Sequence, residues 1–199
     1  MNKNNFVVEG SENVFSFLKN NEAKKKTVIL FSDVDEILDH YKLDVKKKGY
    51  VDIEMILKEC DDVKLQFCDF EDNNVIDGTI EFKNGFYIIK INKNKSEERK
   101  RFTMAHEYSH YLFDRTMLKE NSHKDLVLYR TNYANNITDK KSVDVRANYF
   151  AAELLMPEGV FRSKNNDMRG DIYKMADFFK VSTLAVKVRY SQLGIEIDD

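Results

Sequence analysis

The chain has 199 residues, 42% hydrophobic and 33% charged, long enough for one sizeable core and too apolar for a disordered polymer. Its 32 lysines and arginines stand against 34 acidic residues, so no overall positive field draws it to a phosphate backbone or an anionic membrane. No window approaches the roughly 20 apolar residues of a membrane span, and the N-terminus carries no signal-peptide run, so a cytoplasmic protein is expected.

In chain order, helix and strand signals first alternate. Ser11 opens a helical run ending in lysines, Thr27 to Phe31 form a short apolar run, and Ser32 is the expected cap of a helix with Val34, Ile37, Leu38 and Tyr41 at helical spacing. His40 sits on this stretch and is read as structural. A short helix is expected from Val51 to Cys60, followed by the strand "VKLQFC". Cys60 and Cys68 lack CxxC spacing and are expected as reduced thiols rather than a disulfide or a metal site. Asn84-Gly85 separates two runs rich in β-branched and aromatic residues, which predicts an antiparallel hairpin of Thr79 to Lys83 with Phe86 to Asn92.

Helix chemistry then takes over. Ser96 is placed to cap a helix through Phe113, and a second helix is expected from Ser142 to Met156, ended by Pro157, the only proline. Between them, Asp114 to Lys141 reads as a polar connection, long enough to suggest a functional loop. The segment "DIYKMADFFKVSTLAVKVRYSQLGI" reads as two short helices joined by a tight turn, the second capped by Ser182.

The first of the long helices contains "RFTMAHEYSHYLF". Residues four apart lie about 40° apart on a helix, so His106 and His110 project side by side, where two imidazole nitrogens can share an ion. Glu107, about 100° from His106, sits beside such an ion, where it can take a proton from water. The plain alternative is a helix that carries two imidazoles by chance. Against it, Phe102 and Phe113 fall within about 40° of His106, so the histidines follow an apolar stripe where ring nitrogens need partners. A catalytic zinc site needs a third protein ligand. On the second helix Asp144 shares the face of Ala151 and Leu155, while Glu153 points about 180° away; Asp144 is the candidate, unless it merely caps the helix.

"RFTMAHEYSHYLF" followed by "DVRANYFAAELLMP" strongly resembles the ImmA/IrrE family of metallopeptidases, in which an RFT-x-AHE-x-x-H helix precedes an E-x-x-AN-x-FA-x-x-LLMP helix. The similarity extends over roughly Val51 to Ile195. It implies an α+β fold: a zincin-like core of helices packed on a small antiparallel sheet, with a C-terminal helical end like a helix-turn-helix. The resemblance divides the chain into an N-terminal helical extension (1–50), a metallopeptidase core (51–157) and a C-terminal helical subdomain (158–199). It further implies zinc, or another divalent metal, held by His106, His110 and Asp144, with Glu107 as general base. The implied substrate is a cytoplasmic helix-turn-helix repressor. Two departures stand out: Asp144 occupies a position where the family usually has glutamate, and Ser109 replaces a common glycine. Aspartate reaches about 1.5 Å less.

For a charged tetrahedral intermediate, His123 and Tyr133 in the long connection are candidate donors. A different function class is a catalytically weak or inactive binding module that grips a repressor or an antitoxin-like partner, which the shortened Asp144 motivates. Direct nucleic-acid binding through the last helices is not expected, because 158–199 carries seven basic against seven acidic residues.

Overall fold

The computed structural model of the protein describes residues 31, 33–70, 76–120, 128–129 and 137–196. Among the described residues, three short helices come first: α1 (Val34–His40), α2 (Val45–Lys48) and α3 (Ile53–Glu59). The cap of α1 is Asp33, whose carboxylate accepts from the Glu36 N–H at 2.9 Å, while Ser32, the expected cap, lies outside the described residues. So do the Ser11 helix and residues 27–30 of the apolar run that ends at Phe31. Asp52 caps α3 through the Met55 N–H.

Strands β1 (Val63–Cys68), β2 (Gly78–Lys83), β3 (Phe86–Asn92) and β4 (Leu128–Tyr129) form one sheet in the order β1-β3-β2-β4. The β2–β3 hairpin is antiparallel in the predicted register, with Asn84 and Gly85 at φ 52° and 81°, as a type I′ turn demands. Strand β1, however, joins β3 in parallel, so the sheet is mixed rather than antiparallel as expected. A parallel pair needs a crossover, which local turn signals do not reveal.

Helix α4 (Glu97–Phe113) packs on this sheet under the cap of Ser96, which accepts from the Arg99 N–H. Its middle, Thr103 to Leu112, is buried all round. The predicted apolar stripe understates this, because α4 is covered on several sides: by the sheet, by α3 and by α6 (Ile137–Leu155). Both ends of α4 are clamped. Arg101 donates to the carbonyls of Val51 and Lys180, and at the far end Tyr111 and Arg115 donate, each at 2.6 Å, to the two oxygens of Asp62. Arg115 opens a short helix, α5 (Arg115–Glu120), and β4 and the start of α6 also fall within the span expected as an unstructured connection. Leu118 is buried in α5, but two adjacent apolar residues, Met117 and Leu118, in a six-residue helix leave no periodicity for sequence reading to detect.

Helix α7 (Glu158–Met168) begins directly after Pro157, which ends α6 and sits at the N-cap of the next helix. The chain closes with α8 (Ile172–Phe179), capped by Asp171, and α9 (Thr183–Gln192), capped by Ser182. Phe161 meets the rings of Phe179 and Tyr190 at 5.7 and 5.1 Å, and Arg189 bonds the Met156 carbonyl and pairs with Glu153, tying α9 to the end of α6. The result is a mixed α+β fold, as expected, with a hydrophobic cluster running from Phe31 and Ile37 through the sheet and α4 to Phe179 and Val186. Among the described residues no helix is long and apolar enough to cross a membrane.

The seat of α4 on the sheet depends on Gly78, where a Cβ would stand 2.5 Å from Thr103 Cγ2 and 3.0 Å from the Lys90 carbonyl. Gly78→Ala is therefore expected to lose about 1 to 3 kcal/mol, from forced separation of helix and strand. A urea-unfolding midpoint unchanged from wild type would show that this contact does not set the packing.

Candidate metal centre

Two helices build the site. On α4, His106, Glu107 and His110 are each no more than 2% exposed. From α6 comes Asp144, and its Oδ1 lies 3.7 Å from His110 Nε2. One ligand atom from each of His106, His110 and Asp144 falls within 4.8 Å of the others. The predicted trio is thus brought together, with two members deep inside and the Asp144 side chain 45% exposed at the mouth. Glu153, on the opposite face of α6, serves the C-terminal helices through Arg189. His123 and Tyr133 lie outside the described residues. His40 packs against the rings of Phe31 and Tyr41, an aromatic environment that accounts for it structurally.

The ring orientations are set from behind. His106 Nδ1 is 3.0 Å from Asn148 Oδ1, and His110 Nδ1 is 2.8 Å from Asp114 Oδ2. Facing an oxygen acceptor, each Nδ1 carries the proton and donates. The two Nε2 atoms are left pointing at one another, 3.1 Å apart. Two lone pairs at that distance repel unless a proton or a cation sits between them. Nitrogens bound at about 2.0 to 2.1 Å to one tetrahedral zinc lie roughly 3.3 Å apart, so the observed spacing needs little adjustment to accept the ion.

Asp114 and Asn148 do not figure in the sequence-based site. Asp114 could have been found, since it stands four residues after His110 and so on the same face of α4. Asn148 stands four after Asp144 and carries the same kind of signal. Asp114 also accepts from Arg146 Nη2 at 2.6 Å, which links the two helices through a buried carboxylate. Burial would raise the pKa of Asp114, but its bonds to His110 and Arg146 outweigh burial and hold it below the usual carboxylate range. Burial presses His110 toward the neutral form, yet the Asp114 bond and the charges of Glu107, Asp114 and Asp144 prevail and raise its pKa.

The Peptidase_M78 family model, described as the IrrE N-terminal-like domain, matches residues 58–191. Among solved structures, a Mycobacterium tuberculosis transcriptional regulator resembles the fold with a TM-score of 0.53 at 13% identity, over 79% of this chain and 44% of that one. This chain therefore spans less than half the length of that regulator. No curated protein matches it.

The two shifted groups predict how the metal-free protein responds to pH. A depressed Asp114 stabilises the fold above the unfolded carboxylate value of about 3.9, and the contribution is lost as pH falls through its lower folded value. A raised His110 stabilises the fold below about 6.5, and that contribution is lost as pH rises through its higher folded value. In chelator, denaturation midpoints are expected to be highest between those limits and to fall on both sides. His110→Asn should flatten the alkaline side; an unaltered alkaline slope would contradict the assignment.

Proposed function

The chain belongs to the IrrE N-terminal-like family of peptidases, and we propose that within it this protein is a zinc-dependent endopeptidase with Glu107 as general base. The observation that carries this reading is the pair of converging Nε2 atoms, held 3.1 Å apart by oxygen acceptors behind each ring. With the Asp144 carboxylate the donor set is two imidazoles and one carboxylate, which suits zinc and leaves a fourth position for solvent or substrate.

A zinc ion bound here would polarise a peptide carbonyl and lower the pKa of water from 15.7 toward 7. The chain's own part is to place the ligands and move the proton. Glu107, one residue after His106 and 1% exposed, is the carboxylate to accept a proton from the attacking water and return it to the leaving amine. Its surroundings exclude bulk water, which strengthens each electrostatic contact. His123 and Tyr133 stay the candidate donors to the developing oxyanion. The division into a core at 51–157, an extension at 1–50 and a helical subdomain at 158–199 belongs to the same proposal.

For substrate we favour a cytoplasmic helix-turn-helix repressor. Family membership and the likeness of fold to a transcriptional regulator support a role close to gene regulation. A formal charge of −2 gives no support to direct binding of DNA. The second reading, a binding module with little catalysis, draws on the half-exposed Asp144, whose carboxylate is the least enclosed of the three ligands.

The test is incubation of the full chain with a helix-turn-helix repressor encoded beside it, with and without chelator, read by intact mass. Defined fragments that vanish with chelator and return with zinc are expected. Glu107→Gln is expected to retain one metal per chain while losing about 10² to 10⁴ in rate. A stable complex without fragments would favour the binding module, and equal cleavage by Glu107→Gln would remove Glu107 from its role.

A further inference from the structure

The aspartate at position 144 sets a geometric problem that the surrounding residues answer. A carboxylate one carbon shorter than glutamate must stand about 1.5 Å nearer to reach the same ion, and metal-oxygen distances tolerate only about 0.2 Å. The helix that carries it must approach α4 closely at this turn. Helix α6 has fully buried alanines, Ala147 and Ala151, on the face shared with Asp144, so small side chains permit the approach. Small side chains do not by themselves enforce it.

The enforcing contact is ionic. Asp114 ends α4, its own N–H bonded to the His110 carbonyl at 2.9 Å, so its backbone is fixed to the helix that bears both histidines. One of its oxygens meets His110 Nδ1 at 2.8 Å, and the other meets Arg146 Nη2 at 2.6 Å. Arg146 lies two residues beyond Asp144 on α6, and its guanidinium passes 5.6 Å from the Phe113 ring, which in turn rests against Phe150. A single buried carboxylate is thus fastened to a ligand on one helix and to the ligand-bearing turn of the other. We propose that Asp114 and Arg146 act as one positioning pair. Asp114 fixes the His110 tautomer, and its bridge to Arg146 draws α6 in so that the short Asp144 carboxylate reaches the ion. The inference rests on the metal-site reading above. Neither residue touches substrate or ion; both act through the ligands.

Geometry of this kind makes two effects interdependent. With the bridge intact, lengthening residue 144 gives an arm too long for the gap. With the bridge cut, α6 relaxes outward and the longer arm fits better. The pair also differs from ordinary helix packing in one respect: Arg146 is 46% exposed at its side chain, so its removal need not disturb the core.

The experiment measures zinc affinity of the full chain by competition with a chromophoric chelator, alongside the visible absorption of the cobalt-loaded protein. Wild type, Asp114→Asn, Arg146→Met, Asp144→Glu and the double variant Arg146→Met/Asp144→Glu are compared, with far-UV circular dichroism to verify folding. Asp114→Asn and Arg146→Met are expected to bind about 10 to 100-fold more weakly, the usual cost of losing an outer partner of a ligand. Asp144→Glu is expected to weaken binding in the wild-type background and to recover about tenfold beside Arg146→Met, with a cobalt spectrum restored toward wild type. Arg146→Met binding as tightly as wild type would overturn the proposal. So would an Asp144→Glu effect of equal size in both backgrounds. Wild type that takes up no zinc, no better than His106→Ala, would instead bring down the metal-site reading and this inference with it.

Discussion

The structure turns on two imidazole nitrogens forced to face each other. His106 and His110 each donate from Nδ1 to an oxygen behind the ring, on Asn148 and Asp114 respectively, so their Nε2 lone pairs converge at 3.1 Å. In a buried, low-dielectric setting such an arrangement is unfavourable unless something positive occupies the gap. A proton shared through an elevated His110 relieves it in acid. A divalent cation between the rings would relieve it as well, and Asp144 is placed to complete its ligands. The close approach of the two rings is therefore the feature on which the proposed metal site rests.

The remaining architecture serves to keep those rings from turning away. A helix buried on all sides cannot rotate about its axis without breaking packing, and α4 is further pinned at both ends: by Arg101 to the carbonyls of Val51 and Lys180, and by Tyr111 and Arg115 to Asp62. Helix α6 brings Asp144, Arg146 and Asn148 to the same locus, and Glu153 on its other side fastens the C-terminal helices. One helix thus faces two ways, toward the candidate metal centre and toward the structural end, which is why residues only nine positions apart have such different surroundings.

Much of this was legible in the sequence where the governing physics is local. Ser96 and Ser182 act as the predicted caps, the Asn84-Gly85 turn has the positive φ angles that its chemistry demands, and the α+β class implied by the family resemblance is the class observed. The paired motifs pointed to the family whose model covers 58–191. What the sequence concealed was nonlocal. The parallel pairing of β1 with β3 depends on a crossover. Helix α7 hid behind Pro157, which stops one helix and begins the next, and its polar run Ser163 to Asp167 shows little periodicity. The roles of Asp114 and Arg146 emerge only when two distant helices are set side by side.

The central claim is tested most directly by crystals of the zinc-loaded protein with anomalous data collected on both sides of the zinc edge. The account predicts one difference peak per chain, about 2.0 to 2.2 Å from His106 Nε2, His110 Nε2 and an oxygen of Asp144. A map with no peak between the two imidazoles, or a peak bound to other side chains while the rings keep their present spacing, would contradict it.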